Sequence, residues 1–408
     1  MTALGRYLIR PPRYGIGAAA VPHRADLPTY LRITDIDDFG RFRPNPVVSV
    51  DSQLSRNYLL QDGDLVIART GASVGKSYRY RSSDGELVFA GFLVAIRPDY
   101  QRLDPRYLAY FLQSKRYWDW IGSESTRSGQ PGVNAQQIAR LGIEAPTIAE
   151  QRAIADMLGA VDDLIDSLEH LIAKKRDIKR GLMQQLLVGQ TRLPGFDAKW
   201  REVLLGEHVS YLRTVALSRD QLDSESPLRY LHYGDIHTRS DVRLDAAVES
   251  MPRASARLAG RAGRLLPGDL VFADASEDAA GVGKSLEISA VPPEGVVAGL
   301  HTIAARFDKS VLADGFKAYL QFIPAFRESL LRLAAGTKVL ATTRSYISSI
   351  RLLVPDVEEQ MAITAILSDS DAEIAALDRR LKSARSIKAG MMQKLLTDRT
   401  RLHVEAAS

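Results

Sequence analysis

Apolar residues recur at alternating steps of three and four along IAEQRAIADMLGAVDDLIDSLEHLIAKKRDIKRGLMQQLLV, which runs from Ile148 to Val188. That period predicts a long helix with one buried seam. From Val357 the chain repeats the pattern as VEEQMAITAILSDSDAEIAALDRRLKSARSIKAGMMQKLLT, without a gap, at an offset of 209 residues. Glu150-Gln151 falls on Glu359-Gln360, Asp162 on Asp371, and Leu186-Leu187 on Leu395-Leu396. A fixed period over such a length marks an internal duplication. The first seam runs through Ile154, Leu158, Val161, Ile165, Leu168, Ile172, Lys179, Leu182 and Leu186. The second runs through Ile363, Leu367, Ile374, Leu377, Leu381, Lys388, Met391 and Leu395. Lys179 and Lys388 share one a position, where a lysine weakens a seam but can fix its register. At ~1.5 Å per residue, about 40 residues form a rod of roughly 60 Å. The most direct partner for a duplicated stripe is its own twin, although packing in an ordinary bundle remains open.

The duplication extends beyond the helices. YLRITDID from Tyr30 is matched by YLHYGDIH from Tyr230, and each reads as a strand entering a turn. Gly63-Asp64-Leu65-Val66 matches Gly268-Asp269-Leu270-Val271, a turn followed by a buried strand. Val74-Gly75-Lys76-Ser77 matches Val282-Gly283-Lys284-Ser285. Phe89 to Ile96 reads as one apolar strand, mirrored from Val297. Tyr107–Trp120 and Phe316–Leu333 read as helices, and Ile138–Ile143 and Ile347–Val354 as strands before Pro146 and Pro355. Residues 1–28 read as irregular, and WREVLLG at Trp200–Gly206 has no evident first-half equivalent.

The expected fold class is α+β: two globular mixed α/β domains separated by two long antiparallel coiled-coil helices. The expected partition is 1–146, a first globular domain; 147–189, a first spacer helix; 190–355, a second domain; 356–397, a second spacer; and 398–408, a tail. The linker GQTRLPGFDAKW follows the first helix. The helices resemble each other far more than the domains do. A duplicated scaffold with divergent heads suits a protein that reads two different things at a set separation.

Composition narrows the function. At 408 residues the chain exceeds one core. It has no cysteine, which removes disulfides, thiolate zinc sites and cysteine nucleophiles together. No run of 18 apolar residues occurs and the N-terminus does not read as a secretory signal, so a cytoplasmic protein without a membrane span is expected. The net charge of +5 is mildly basic and compatible with nucleic acid.

Catalytic patterns are missing. A phosphate loop needs glycine where Thr70 and Asp278 stand. The Asn/Asp-Pro-Pro-aromatic tetrapeptide of amino methyltransferases is absent, since Pro11-Pro12 precedes Arg13 and Pro292-Pro293 precedes Glu294. Seven histidines are scattered without metal-ligand spacing, and no Gly-x-Ser-x-Gly elbow occurs.

Basic and amide-bearing turns carry more. Arg and Lys neutralise phosphates, while Arg, Asn, Gln, Ser and Thr read base edges. The candidate DNA-binding residues are Arg69, Thr70, Ser73, Lys76, Ser77, Tyr78, Arg79, Arg127, Gln130 and Asn134 in the first half. Lys284, Ser285, Lys338, Thr342, Thr343 and Arg344 are the candidates in the second. The cluster Lys174-Lys175-Arg176 with Lys179-Arg180 either complements a helix dipole or meets an acidic partner or DNA.

YLRITDID and RYLHYGDIHT, GDLVIARTGASVGK, and the pair PTIAEQRAIADML and PDVEEQMAITAIL together resemble the DNA-specificity subunit of type I restriction–modification systems. The resemblance spans nearly the whole chain. It implies two target-recognition domains, each reading one half of a bipartite asymmetric site in double-stranded DNA. The helices would set the separation of the half-sites. Two modification subunits would dock here, with two restriction subunits joining them. The chain would hold no cofactor and catalyse nothing itself; S-adenosylmethionine, ATP and magnesium would sit on the partner subunits. Two rivals are a coiled-coil scaffold with two protein-binding heads and a nucleotide-dependent enzyme built on the VGKS turns.

Overall fold

The computed structural model describes residues 1–125, 132–239, 241–276, 278–334 and 340–396. The duplicated segments form two helices of 39 residues each, α1 (Ile148–Leu186) and α2 (Val357–Leu395). The chain divides into two compact units. One holds Met1–Glu169 with the chain from Arg379 onward, and the other holds His170–Asp378. The division therefore falls within each helix, whereas the sequence partition separated heads from spacers. The expected tail, 398–408, lies outside the described residues.

In the first unit, the N-terminal half of α1 packs antiparallel on the C-terminal half of α2. Ile154, Ala155 and Leu158 share a core with Met391, Met392, Leu395 and Leu396. In the second unit, Leu182, Leu186 and Leu187 meet Ile363, Ile366 and Leu367. Ten of the predicted seam residues are buried: Ile154, Leu158, Ile165, Leu168, Ile172, Leu186, Ile363, Leu367, Leu377 and Leu381. Val161, Leu182, Ile374, Met391 and Leu395 are half-buried.

The two seam lysines find carboxylates. Lys388 Nζ lies 2.7 Å from Asp162 Oδ1, and Lys179 makes the duplication-related pair with Asp371. Each carboxylate also accepts a tyrosine hydroxyl, Tyr110 at 2.8 Å and Tyr319 at 3.2 Å. Burial, and then the neighbouring carboxylate, push both phenols above their ordinary range. Lys175 and Arg176 pair with Glu373 and Asp378, and Arg180 pairs with Asp177 one turn away. Most of the basic cluster on α1 is thus spent on carboxylates.

Each helix start is tied to its own head. Gln151 Oε1 accepts from Asp104 N, and its Nε2 donates to the carbonyls of Arg102 and Pro146. Gln360 does the same with Ala313 N, Val311 O and Pro355 O. Both amides are fully buried, so their bonds replace water for backbone groups that would otherwise be orphaned.

The first head is built from two four-stranded sheets. One orders Leu8–Tyr14, Leu93–Pro98, Leu65–Ala68 and Ser77–Arg79, all antiparallel. The other orders Ala20–Pro22, Val48–Val50, Thr29–Leu31 and Leu87–Phe89, the last two parallel. The second head places Thr302–Phe307, Leu270–Ala273 and Ser285–Ala290 in a five-stranded sheet, and pairs Arg229–Leu231 with Val296–Ala298 in parallel. This agrees with the α+β class.

Several local expectations change. Residues 1–28 carry strands rather than irregular chain. Thr2–Ala3 pairs with Gly142–Ile143 just as Arg201–Leu204 pairs with Arg351–Val354. Leu4 N and Leu205 N donate to Leu141 O and Ile350 O. MTALG is thus the first-half counterpart of EVLLG. The run Phe89–Ile96 is two strands in different sheets, parted at Ala90–Phe92. Ile138 sits in a helix, Ala135–Arg140, before the short strand. Tyr107–Trp120 spans two helices, Pro105–Phe111 and Lys115–Ser125. Among the described residues, no helix is long and apolar enough to cross a membrane.

Replacing Gln360 by Ala leaves one buried N–H and two buried carbonyls without partners. We expect a loss of about 2–4 kcal/mol, measured by urea unfolding of the full chain. A loss below about 0.5 kcal/mol would contradict the clamp.

Candidate nucleic-acid interface

The Gly-Asp motif is structural in both heads. Gly63 and Gly268 turn the chain at φ 79° and 92°. The following aspartates are buried and bind an arginine from the next strand in bidentate fashion. Asp64 meets Arg97 at 2.6 and 2.6 Å, and Asp269 meets Arg306 at 2.7 and 2.7 Å. Each aspartate also accepts a backbone N–H from its own turn, from Gln61 or Leu266.

The VGKS segments are also turns. Gly75 and Gly283 adopt φ 88° and 73°. A Cβ on Gly75 would stand 3.0 Å from Trp118 and Ile121, and one on Gly283 would stand 2.6 Å from Leu330. The glycines therefore let a helix pack on the turn. Lys76 Nζ pairs with Asp38 at 2.7 Å, and Lys284 Nζ donates to His237 O at 2.5 Å. Neither lysine stands over a phosphate cradle.

The predicted contact residues separate into four groups. Ser77, Tyr78, Ser285 and Thr342 are buried. Tyr78 belongs to the core, and its hydroxyl donates to Asp84 at 2.6 Å. Asn134 and Thr343 cap short helices, accepting from Gln137 N and Tyr346 N. Sequence could not distinguish a cap from a base reader, because both use a short polar side chain at a turn. Arg69, Thr70, Ser73, Lys76, Arg79 and Lys284 are partly exposed, and Arg344 is exposed. Arg127, Gln130 and Lys338 lie outside the described residues.

Arg69 lies over the Tyr14 ring at 5.0 Å and donates through Nε to Gly91 O. Arg344 lies over Tyr211 at 5.5 Å and donates to Leu212 O. Burial, and then the neighbouring Arg81, lower the pKa of Arg79. Arg79 and Arg81 line a cavity of about 580 Å³ in the first unit together with Arg41, Tyr110 and Asp162.

In the second unit a cavity of about 880 Å³ is lined by Tyr233, His237, Lys284, Ser285, His301 and Gln321, among others. Tyr233, His237 and His301 are not among the sequence candidates, because scattered histidines show no ligand spacing. His301 adopts φ 55°, and it alone does so among the described non-glycine residues. The one available signal was alignment of the two halves, which places these rings opposite dissimilar residues. Among the described residues, no group of three or more His, Asp or Glu side chains is placed to hold a metal ion.

Residues 40–175 match the family described as type I restriction modification DNA specificity domain. A putative type I restriction enzyme specificity subunit, MjaX of Methanocaldococcus jannaschii, is 23% identical over 363 residues, covering 85% of this chain and 80% of its own. The StySPI specificity subunit of Salmonella potsdam is 28% identical over 161 residues, 38% of this chain and 34% of its own. The S subunit structure of a type I restriction-modification system from M. genitalium shares the fold at a TM-score of 0.59. It has 14% identity and covers 98% of this chain and 96% of that one. Family, relatives and fold agree with the type I DNA-specificity subunits that the motifs resemble.

If the VGKS turn is a packing device, Gly283→Ala destabilises the chain by about 1–3 kcal/mol through backbone strain and the clash with Leu330. Thermal unfolding of the full chain measures this; an unchanged midpoint would refute it.

Proposed function

We propose that this chain is the DNA-specificity subunit of a type I restriction–modification complex. One observation carries the reading: two heads share a backbone scaffold, differ at exposed side chains, and are each clamped to twin helices. That is the arrangement expected of a protein that reads two unlike half-sites of one asymmetric, bipartite sequence. Phosphate contacts from exposed basic residues would position each head, and side chains at its turns would read base edges. The helices would set the number of unread base pairs between the half-sites.

The chemistry would belong to other subunits. Two modification subunits would dock on this chain and methylate adenine with S-adenosylmethionine, and two restriction subunits would bring ATP- and magnesium-dependent cleavage. This chain's contribution would be recognition and spacing in the cytoplasm. The relatives do not favour the scaffold reading, and the paired VGKS lysines do not favour nucleotide chemistry.

Methylation mapping tests the proposal. The chain is co-expressed with its modification subunit in a host lacking adenine methylation, and modified adenines are located by sequencing. A two-part motif with a fixed gap, absent when this chain is omitted, is expected. No methylation from a folded, cofactor-binding partner would refute the assignment.

The helices supply a second test. Inserting one heptad into each helix at facing positions preserves the seam and adds ~10 Å. At ~3.4 Å per base pair, the unread gap should lengthen by about three base pairs. An unchanged gap in an active complex would sink the spacer role.

A further inference from the structure

Backbone hydrogen bonds identify equivalent positions in the two heads without reliance on side-chain identity. Arg69 N donates to Phe92 O, and Arg69 O accepts from Val133 N. Asp274 N donates to His301 O, and Asp274 O accepts from Thr342 N. Arg69 is thus the counterpart of Asp274, and Phe92 that of His301. A second landmark is the capping carboxylate: Asp35 accepts from Arg32 N, and Asp235 accepts from His232 N. It places Ile33 opposite Tyr233 and Asp37 opposite His237. Part of the interior around these positions recurs, with Leu65-Val66 and Ala68 opposite Leu270-Val271 and Ala273. The side chains at the crossing change completely: a cation becomes an anion, and an apolar ring becomes an imidazole.

The two rings at the crossing are also presented to solvent, with the His301 side chain 52% exposed. Phe92 is 57% exposed. His301 is held at φ 55°, a conformation that costs a non-glycine residue energy and persists only where surroundings enforce it. Its ring meets Tyr233 edge-on at 5.5 Å, and its Nδ1 lies 3.3 Å from Asp274 Oδ1. His237 shares the same cavity wall, with Nε2 2.9 Å from Ala275 O. The buried Ser285 hydroxyl on that wall has no hydrogen-bond partner among the described residues.

Building on the reading of the heads as DNA-recognition domains, we propose that the crossing is the base-reading element of each. Phe92 with Arg69 reads one half-site, and His301 with Asp274 reads the other. The chemistry differs accordingly. A phenyl face suits the thymine methyl, and a guanidinium suits guanine O6 and N7. An imidazole bonds a purine N7, and a carboxylate accepts from an exocyclic amino group of cytosine or adenine. The shared backbone would present either set at the same depth, so the two heads differ in the bases read and not in how they dock.

The test uses the full chain with its modification subunit and reads the methylated motif. The variants are Phe92→Ala, His301→Ala and His301→Gly. Glycine tolerates φ 55° without strain, so His301→Gly separates lost reading from lost folding. We expect each His301 variant to relax discrimination on the order of tenfold at one or two base pairs of one half-site. Phe92→Ala should relax only the other half-site. Wild-type motifs from Phe92→Ala and His301→Gly at normal methylation levels would overturn the proposal. So would either variant altering both half-sites. Absence of any two-part motif from the wild-type complex would instead refute the specificity-subunit reading on which the proposal rests.

Discussion

The structure depends on a lysine placed inside an apolar seam. Lys179 and Lys388 occupy positions where leucine or isoleucine would pack better, and neither side chain is more than 16% exposed. A buried ammonium without a partner is costly, so the seam is acceptable only in the register that supplies a carboxylate. Asp371 and Asp162 supply it, each also bonded to a tyrosine from the adjoining head. A slip of one helix turn would strand two cations and leave two tyrosines without their acceptor. Stability is sacrificed locally for a single register, the role best attested for polar groups in coiled coils.

The tyrosines extend that constraint into the heads. Tyr110 and Tyr319 belong to the globular parts, and Gln151 and Gln360 belong to the helices yet satisfy backbone groups of the heads. Each head is therefore fixed to the helix pair at two places, by a buried amide at the helix start and by a phenol about three turns on. The first unit adds Arg41, which reaches both Asp166 and Glu169 on α1. Positions 166 and 375, equivalent in the duplication, hold Asp and Ala, so this extra contact is specific to the first head. The duplication kept the clamp and let its periphery diverge.

Much of this was legible in the sequence, because the legible parts are those that two copies must both satisfy. The 209-residue offset, the seam and the Gly-Asp and VGKS turns each repeat, and repetition separates constraint from chance. What the sequence concealed follows from short-range ambiguity. An apolar run such as Phe89–Ile96 satisfies one strand or two, and only the crossing at Ala90–Phe92 decides. Tyr78 reads from sequence as a DNA-binding candidate, but its short strand is covered on both faces, so Tyr78 packs into the core and Ser77 is buried beside it. MTALG is hard to recognise because its match to EVLLG is a single Leu-Gly pair, too short to register without the paired strand.

The same comparison that reveals constraint also reveals freedom, and freedom is the more useful signal for specificity. Sites that recur in both halves, such as Asp64 with Arg97 and Asp269 with Arg306, hold the head together and cannot carry information about which bases are read. Information must lie where the backbone is held constant and the side chain is not. The left-handed backbone at His301 fits this logic, since glycine would meet φ 55° with less strain and the position carries an imidazole instead. A duplicated protein thus contains its own control experiment: one half shows what the scaffold requires, and its differences from the other show what the scaffold leaves free.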